Sequence, residues 1–234
     1  RVVVAMMDEY LVAGPEGCRL CPADAHYSCR GFGRREILDR TDIVNVGYLH
    51  DAVASDRGLI LALPHMGNWE VAGAVAESIG IPVLAAAENL PNPLITDWFV
   101  KTRNMVGIDI VLIGRGLRAT GELAKRLEQG GTVALLSDRD LSGRGVPVTF
   151  FGEETTMPAG PIALADRTGA AVHVVGSYFK EGRGHYYVVA DPLEMPDGDD
   201  PFGDATFSGS VAAERHVDER IADEFQRRAP LIAR

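Results

Sequence analysis

The sequence predicts an α/β fold: a single domain with a mixed, mostly parallel sheet flanked by helices. Three observations carry that prediction. Short apolar runs alternate with helix-period segments from residue 43 to residue 136, the pattern of repeated βα units. A chain of 234 residues with 46% hydrophobic content fills one large core, and a second core is not required. Two strand patterns then meet around the turn Glu181-Gly-Arg-Gly184, which adds an antiparallel pair.

Residues 1–40 form a divergent N-terminal segment with a short helix over 2–11 and little other pattern. A strand over 43–46 and a helix over 48–54 lead into the apolar run 59–64, a buried strand that Pro64 and Gly67 stop. From Asn68, a plausible N-cap, Val71, Ala72, Val75 and Ile79 recur at helical spacing. Strands follow over 82–86, 109–113 and 132–136, with helices over 93–106 and 119–128 between them. An apolar strand over 146–152 precedes the turn Met157-Pro-Ala-Gly-Pro161, where Pro161 suits the first helical position and the free amides suit an anion. A helix over 161–167 and antiparallel strands over 171–179 and 185–190 complete a core spanning 41–190. An exposed loop rich in Asp, Gly and Pro covers 191–210, and an amphipathic helix occupies 211–228 within a C-terminal segment 211–234.

A formal charge of −10 argues against nucleic acid as the main partner, because phosphate binding needs a basic field. No apolar run approaches the ~20 residues that cross a bilayer. Arg1 opens the chain without an initiator methionine, so an anchor or signal ahead of it stays open. Three cysteines make no disulfide framework, which points to a reducing compartment. Cys18, Cys21, His26 and Cys29 have a zinc-like ligand set, although the last gap is short. A structural zinc, unpaired cysteines in a loose segment and a zinc hydrolase all remain open.

Two polar clusters follow apolar strands, the position where open α/β sheets place ligands. The first holds His65 and Glu70. A carboxylate accepting from Nδ1 fixes the imidazole tautomer and leaves Nε2 free to take a proton, the arrangement that activates a hydroxyl. The plainer reading is a histidine closing a strand and an acid favouring a helix dipole. The second is Ser137-Asp-Arg-Asp140, either an ion-pair node or part of a site. Trp69, Trp98, Phe99, Phe150 and Phe151 line an apolar groove or belong to the core.

Taken together, Ala62-Leu-Pro-His-Met-Gly-Asn-Trp-Glu-Val-Ala-Gly73, Ala87-Glu-Asn-Leu90, Thr102-Arg-Asn104, Leu136-Ser-Asp-Arg-Asp-Leu141 and Gly145-Val-Pro-Val-Thr-Phe-Phe-Gly-Glu153 resemble the lysophospholipid acyltransferase superfamily. Within it they resemble the bacterial lipid A acyltransferase type, phosphatidylinositol mannoside acyltransferases in particular. The resemblance implies a glycerol-3-phosphate acyltransferase-like fold and transfer of a fatty acyl group from acyl-CoA to a glycolipid hydroxyl, a mannose of a phosphatidylinositol mannoside. It implies His65 as general base, Glu70 as the acid orienting it, and Asp138 as a further active-site acid, with Asp140 its rival. Glu88, Arg103, Arg139 and Asn68 fall on the substrate side, with Asp140. No metal or cofactor is implied beyond acyl-CoA as co-substrate. The implied setting is the cytoplasmic face of the cell membrane, held peripherally. A lipid A or other phospholipid acceptor, or an idle lipid- or CoA-binding module, are the alternatives.

Overall fold

The computed structural model describes residues 39–194, apart from 106, 115–117, 141–142, 144 and 181–183. The expected helices over 2–11 and 211–228, most of the 191–210 loop and the Cys18, Cys21, His26 and Cys29 set lie outside the described residues. In chain order the elements are β1 (Thr41–Val44), α1 (Val46–Ala54), β2 (Leu59–Leu63), α2 (Trp69–Ser78), β3 (Val83–Glu88), α3 (Pro93–Met105) and β4 (Ile108–Ile113). There follow α4 (Arg118–Glu128), β5 (Thr132–Leu136), β6 (Val146–Phe150), β7 (Glu153–Met157), α5 (Gly160–Thr168), β8 (Ala171–Lys180) and β9 (Gly184–Pro192).

Seven strands form one sheet in the order β1-β9-β8-β2-β5-β3-β4, and all neighbours are parallel except β8 and β9. The mixed, mostly parallel sheet is therefore the expected one. β2 is buried along its whole length because helices cover both faces. Ile60 and Ala62 join the core under α4 and α5, while Leu59, Leu61 and Leu63 join the one under α1 and α2. Leu59 and Ile60 have no exposed surface, and burying each stabilises the fold by about 1.5–3 kcal/mol.

β1 ends two residues earlier than expected, since Asn45 takes a left-handed conformation (φ 62°) that stops the strand and starts α1. The apolar run from Val146 stops at Phe150. Phe151 and Gly152 both have positive φ and turn the chain back into β7, making a separate two-stranded hairpin. Pro147 is tolerated there because a two-stranded ribbon leaves open edges. At α5, Pro161 sits at the start and Gly169 closes the end with φ 70°.

Candidate active site

β2 and β5 are adjacent, and their register pairs Leu63 with Leu136. The pairing continues past the strands, because Ser137 N–H donates to Leu63 O at 2.8 Å. His65 and Asp138 each stand two residues beyond that last pair, which brings them together across 73 positions of sequence. The His65 backbone N–H donates to Asp138 Oδ2 at 2.9 Å, and ring Nδ1 lies 2.7 Å from Oδ1. An ionised carboxylate only accepts, so the ring proton sits on Nδ1 and the Nε2 lone pair is free. Partial burial pushes the Asp138 carboxyl upward, but the hydrogen bonds from the His65 ring and backbone, with the attraction of that ring whenever it is protonated, hold it below the ordinary carboxylate range.

The turn carrying His65 is seated on β8 and β9. Met66 N–H donates to Pro64 O at 2.8 Å, and Gly67 adopts φ 56°. A Cβ at Gly67 would stand 2.2 Å from the Ser177 carbonyl oxygen, so only glycine permits this approach. Asn68 is buried and caps α2 by accepting from Val71 N–H at 3.2 Å. Tyr187, also buried, donates its hydroxyl to the Asn68 carbonyl at 2.9 Å.

Glu70 follows a different course from the expected one. It opens α2 beside Trp69, and the turn of the helix sends Trp69 toward His65 and Glu70 toward α3. Arg103 binds it through Nε at 3.0 and 3.2 Å and through a terminal nitrogen to Oε1. The guanidinium lies 5.6 Å from the Trp69 ring centre and 5.5 Å from that of Phe99. Trp69 in turn meets His65 edge-on at 5.8 Å. Asp138, rather than Glu70, is the carboxylate on Nδ1, and Glu70 reaches the histidine only through Arg103 and Trp69.

Beneath this turn a cavity of about 690 Å³ runs between the sheet and helices α2 and α3. Its wall includes Ala72, Gly73 and Ala76 of α2 opposite Ala85, Ala87 and Ala134 of β3 and β5, small residues where a filled core would carry larger ones. Farther along, Ile79, Val83, Ile108 and Val189 continue the apolar lining. The charged side chains in the wall, His65, Glu70, Glu88, Arg103 and Arg139, belong to its end beside the histidine. Residues 29–218 match the bacterial lipid A biosynthesis acyltransferase family.

The chain belongs to that family. It is similar to the phosphatidylinositol mannoside acyltransferase of Mycolicibacterium smegmatis, at 39% identity over 163 residues, which cover 69% of this chain and 53% of the relative. The protein of the same description from Mycobacterium tuberculosis strain H37Rv is 38% identical over 163 residues, covering 69% and 51%. The chain thus spans about half the length of the curated relatives it matches.

In this acyltransferase-family chain Asp138 and Asp140 have different partners: Asp138 faces His65, and Asp140 does not. Asp140 Oδ2 accepts from Gly145 N–H at 2.6 Å and from Thr156 Oγ1 at 3.1 Å, which fastens the base of the β6–β7 hairpin. Arg139, between the two, is exposed at the cavity mouth, and Glu88 ends β3 at the same rim. Of the five aromatics, Trp69 and Phe99 line the cavity, Phe150 packs into the opposite core, and Trp98 and Phe151 are exposed. Tyr187 had no local signal, because a tyrosine in an apolar strand reads as core until the Asn68 carbonyl is brought beside it. Among the described residues no helix is long and apolar enough to cross a membrane.

Proposed function

We propose that this chain transfers a fatty acyl group from acyl-CoA to a hydroxyl of a glycolipid, in the first instance a mannose of a phosphatidylinositol mannoside, at a membrane surface. The observation that carries the reading is the His65–Asp138 pair at the mouth of a large apolar cavity. Family membership and the names of the two mycobacterial relatives support the acceptor class.

In this reading the acyl chain lies in the cavity with its thioester beside Nε2 of His65. Nε2 takes the proton of the acceptor hydroxyl as its oxygen attacks the thioester carbonyl, a step worth about 10²- to 10⁴-fold. Asp138 keeps Nδ1 protonated and stabilises the imidazolium that forms. The tetrahedral intermediate collapses to the ester, the C–S bond breaks, and the imidazolium returns its proton to the departing CoA sulfur. The acyl group passes directly between substrates, so no serine or cysteine nucleophile is needed. Arg139 places a guanidinium at the mouth, where the phosphates of donor or acceptor pass. Arg103, held by Glu70, forms the cavity wall and carries Trp69 against the histidine.

The test is thiol release from palmitoyl-CoA with and without a mannosylated phosphatidylinositol, comparing the parent with His65→Ala. Acceptor-dependent release that disappears in the variant supports the reading. Release unchanged by the substitution overturns the mechanism, and no release from the parent overturns the acceptor.

A further inference from the structure

We infer that the exposed apolar face formed by the start of α3 and the end of β4 inserts into a lipid bilayer and delivers the cavity mouth to it; this rests on the acyl-transfer reading above. On α3 the side chains Thr96, Phe99, Val100 and Arg103 line the cavity at spacings of three and four, the repeat of one helix face. Leu94 and Trp98, one turn apart, therefore stand on the outer face with Ile95 on its flank. Leu94 is 78% exposed, Ile95 45% and Trp98 37%. At the end of β4, Leu112 and Ile113 are 39% and 52% exposed. A lone exposed leucine is ordinary, but Leu94, Ile95 and Trp98 of α3 with Leu112 of β4 are four large apolar side chains on two adjoining elements, and they mark a surface that meets something apolar.

The topology brings these elements to one end of the molecule. β3 ends at Glu88, the chain enters α3 five residues later, and β4 returns beside β3 with Glu88 paired to Ile113. Asn89 N–H donates to Ile113 O at 3.3 Å and ties the two segments. β2 is parallel to these strands through β5, so its carboxyl end and His65 lie at the same end. Leu112, in phase with Ile108 and Ile110 on the cavity side of β4, is both exposed and part of the cavity wall, which makes the outer surface continuous with the cavity.

That continuity selects the occupant. A protein seated here would cover the route by which a long acyl chain reaches the cavity, whereas a bilayer joins the two apolar spaces. Tryptophan on such a rim suits the headgroup level, where its ring is half apolar and half wet. Asp97 and Lys101 share the outer side of the helix and cancel in charge, and the chain carries −10 overall. The attraction is apolar rather than electrostatic, so zwitterionic lipid binds at least as well as anionic lipid, and added salt does not release the protein.

The experiment uses the full chain with phosphatidylcholine vesicles, some carrying brominated acyl chains, read by co-sedimentation and tryptophan fluorescence. Vesicle binding with bromine quenching of Trp98 is expected in a Trp69→Phe background, where Trp98 is the one remaining tryptophan. Leu94→Asp/Ile95→Asp lowers the partition into vesicles by at least about tenfold, because two buried aliphatic side chains are replaced by charges. The same variant retains the parent rate of thiol release from octanoyl-CoA with methyl mannoside, since neither residue lines the cavity. Unchanged partition in the double variant, no bromine quenching of Trp98 in the Trp69→Phe background, or burial of the face in a dimer seen by sedimentation each overturns the inference. A parent that binds vesicles through this face but releases no thiol leaves the inference standing and removes the acyl-transfer reading.

Discussion

Asp138 accepts from both the ring and the backbone of His65, at 2.7 and 2.9 Å, so one carboxylate fixes the tautomer of the histidine and the position of the turn that carries it. The second bond matters as much as the first. A side chain that only oriented the ring would leave the backbone free to drift from the cavity mouth.

Asp138→Asn therefore separates shape from chemistry. The amide still accepts from the backbone N–H but then presents an N–H to Nδ1, which moves the ring proton to Nε2 and removes the base. The turnover rate falls by about 10²- to 10⁴-fold with the fold intact by circular dichroism. Asp140→Asn has the opposite profile. Weakening the bonds at the hairpin base costs about 1–3 kcal/mol in urea unfolding and changes turnover far less.

Two acid-sensitive windows are expected in stability. Burial holds the His185 imidazole below its usual range, so the unfolded chain takes up that proton first. Stability from this group is full above about pH 6.5 and declines as pH falls toward the depressed folded value. Asp138, also depressed, contributes fully above about pH 3.9 and loses its share as pH falls through its folded value. Urea unfolding across pH 8 to 5 shows a decline in the parent that flattens in His185→Gln.

Removing one partner of the Glu70–Arg103 pair leaves a buried charge. Their side chains are 13% and 16% exposed, so Arg103→Met destabilises by about 3–5 kcal/mol. Adding Glu70→Gln restores part of the loss, because the orphaned carboxylate is gone. A double-mutant cycle in urea measures the coupling.

Filling the cavity trades activity for stability. Ala85→Leu and Ala134→Leu place methyl and methylene groups in empty space and stabilise on the order of 1 kcal/mol each. Palmitoyl transfer falls more than octanoyl transfer. Equal loss with both donors separates the cavity from the acyl chain.

Much of this was legible before any coordinates. Leu59–Leu63 and Thr132–Leu136 read as buried strands, and each ends in polar residues that the fold brings together. Which acid meets His65 was not legible, because it depends on β5 lying beside β2, a matter of strand order that no local pattern encodes. Glu70, five residues away along the chain, looked nearer than Asp138 at seventy-three. β7 was missed because Glu153-Glu-Thr-Thr lacks apolar alternation. The cavity was invisible for a related reason: each alanine in its wall reads alone as ordinary core, and only their convergence leaves a void.

The position of β5 also governs when the site comes into being. β2 and β3 leave the ribosome before it, yet in the finished sheet they do not touch, because β5 lies between them. A nascent chain that has made β2, α2, β3, α3 and β4 therefore holds a histidine with no acid beside it and a half-built apolar wall. Closing that long loop is slow compared with forming the local βα units. During refolding, the environment of Trp69 beside His65 and the return of turnover should rise together in one late phase, after helical signal has largely recovered.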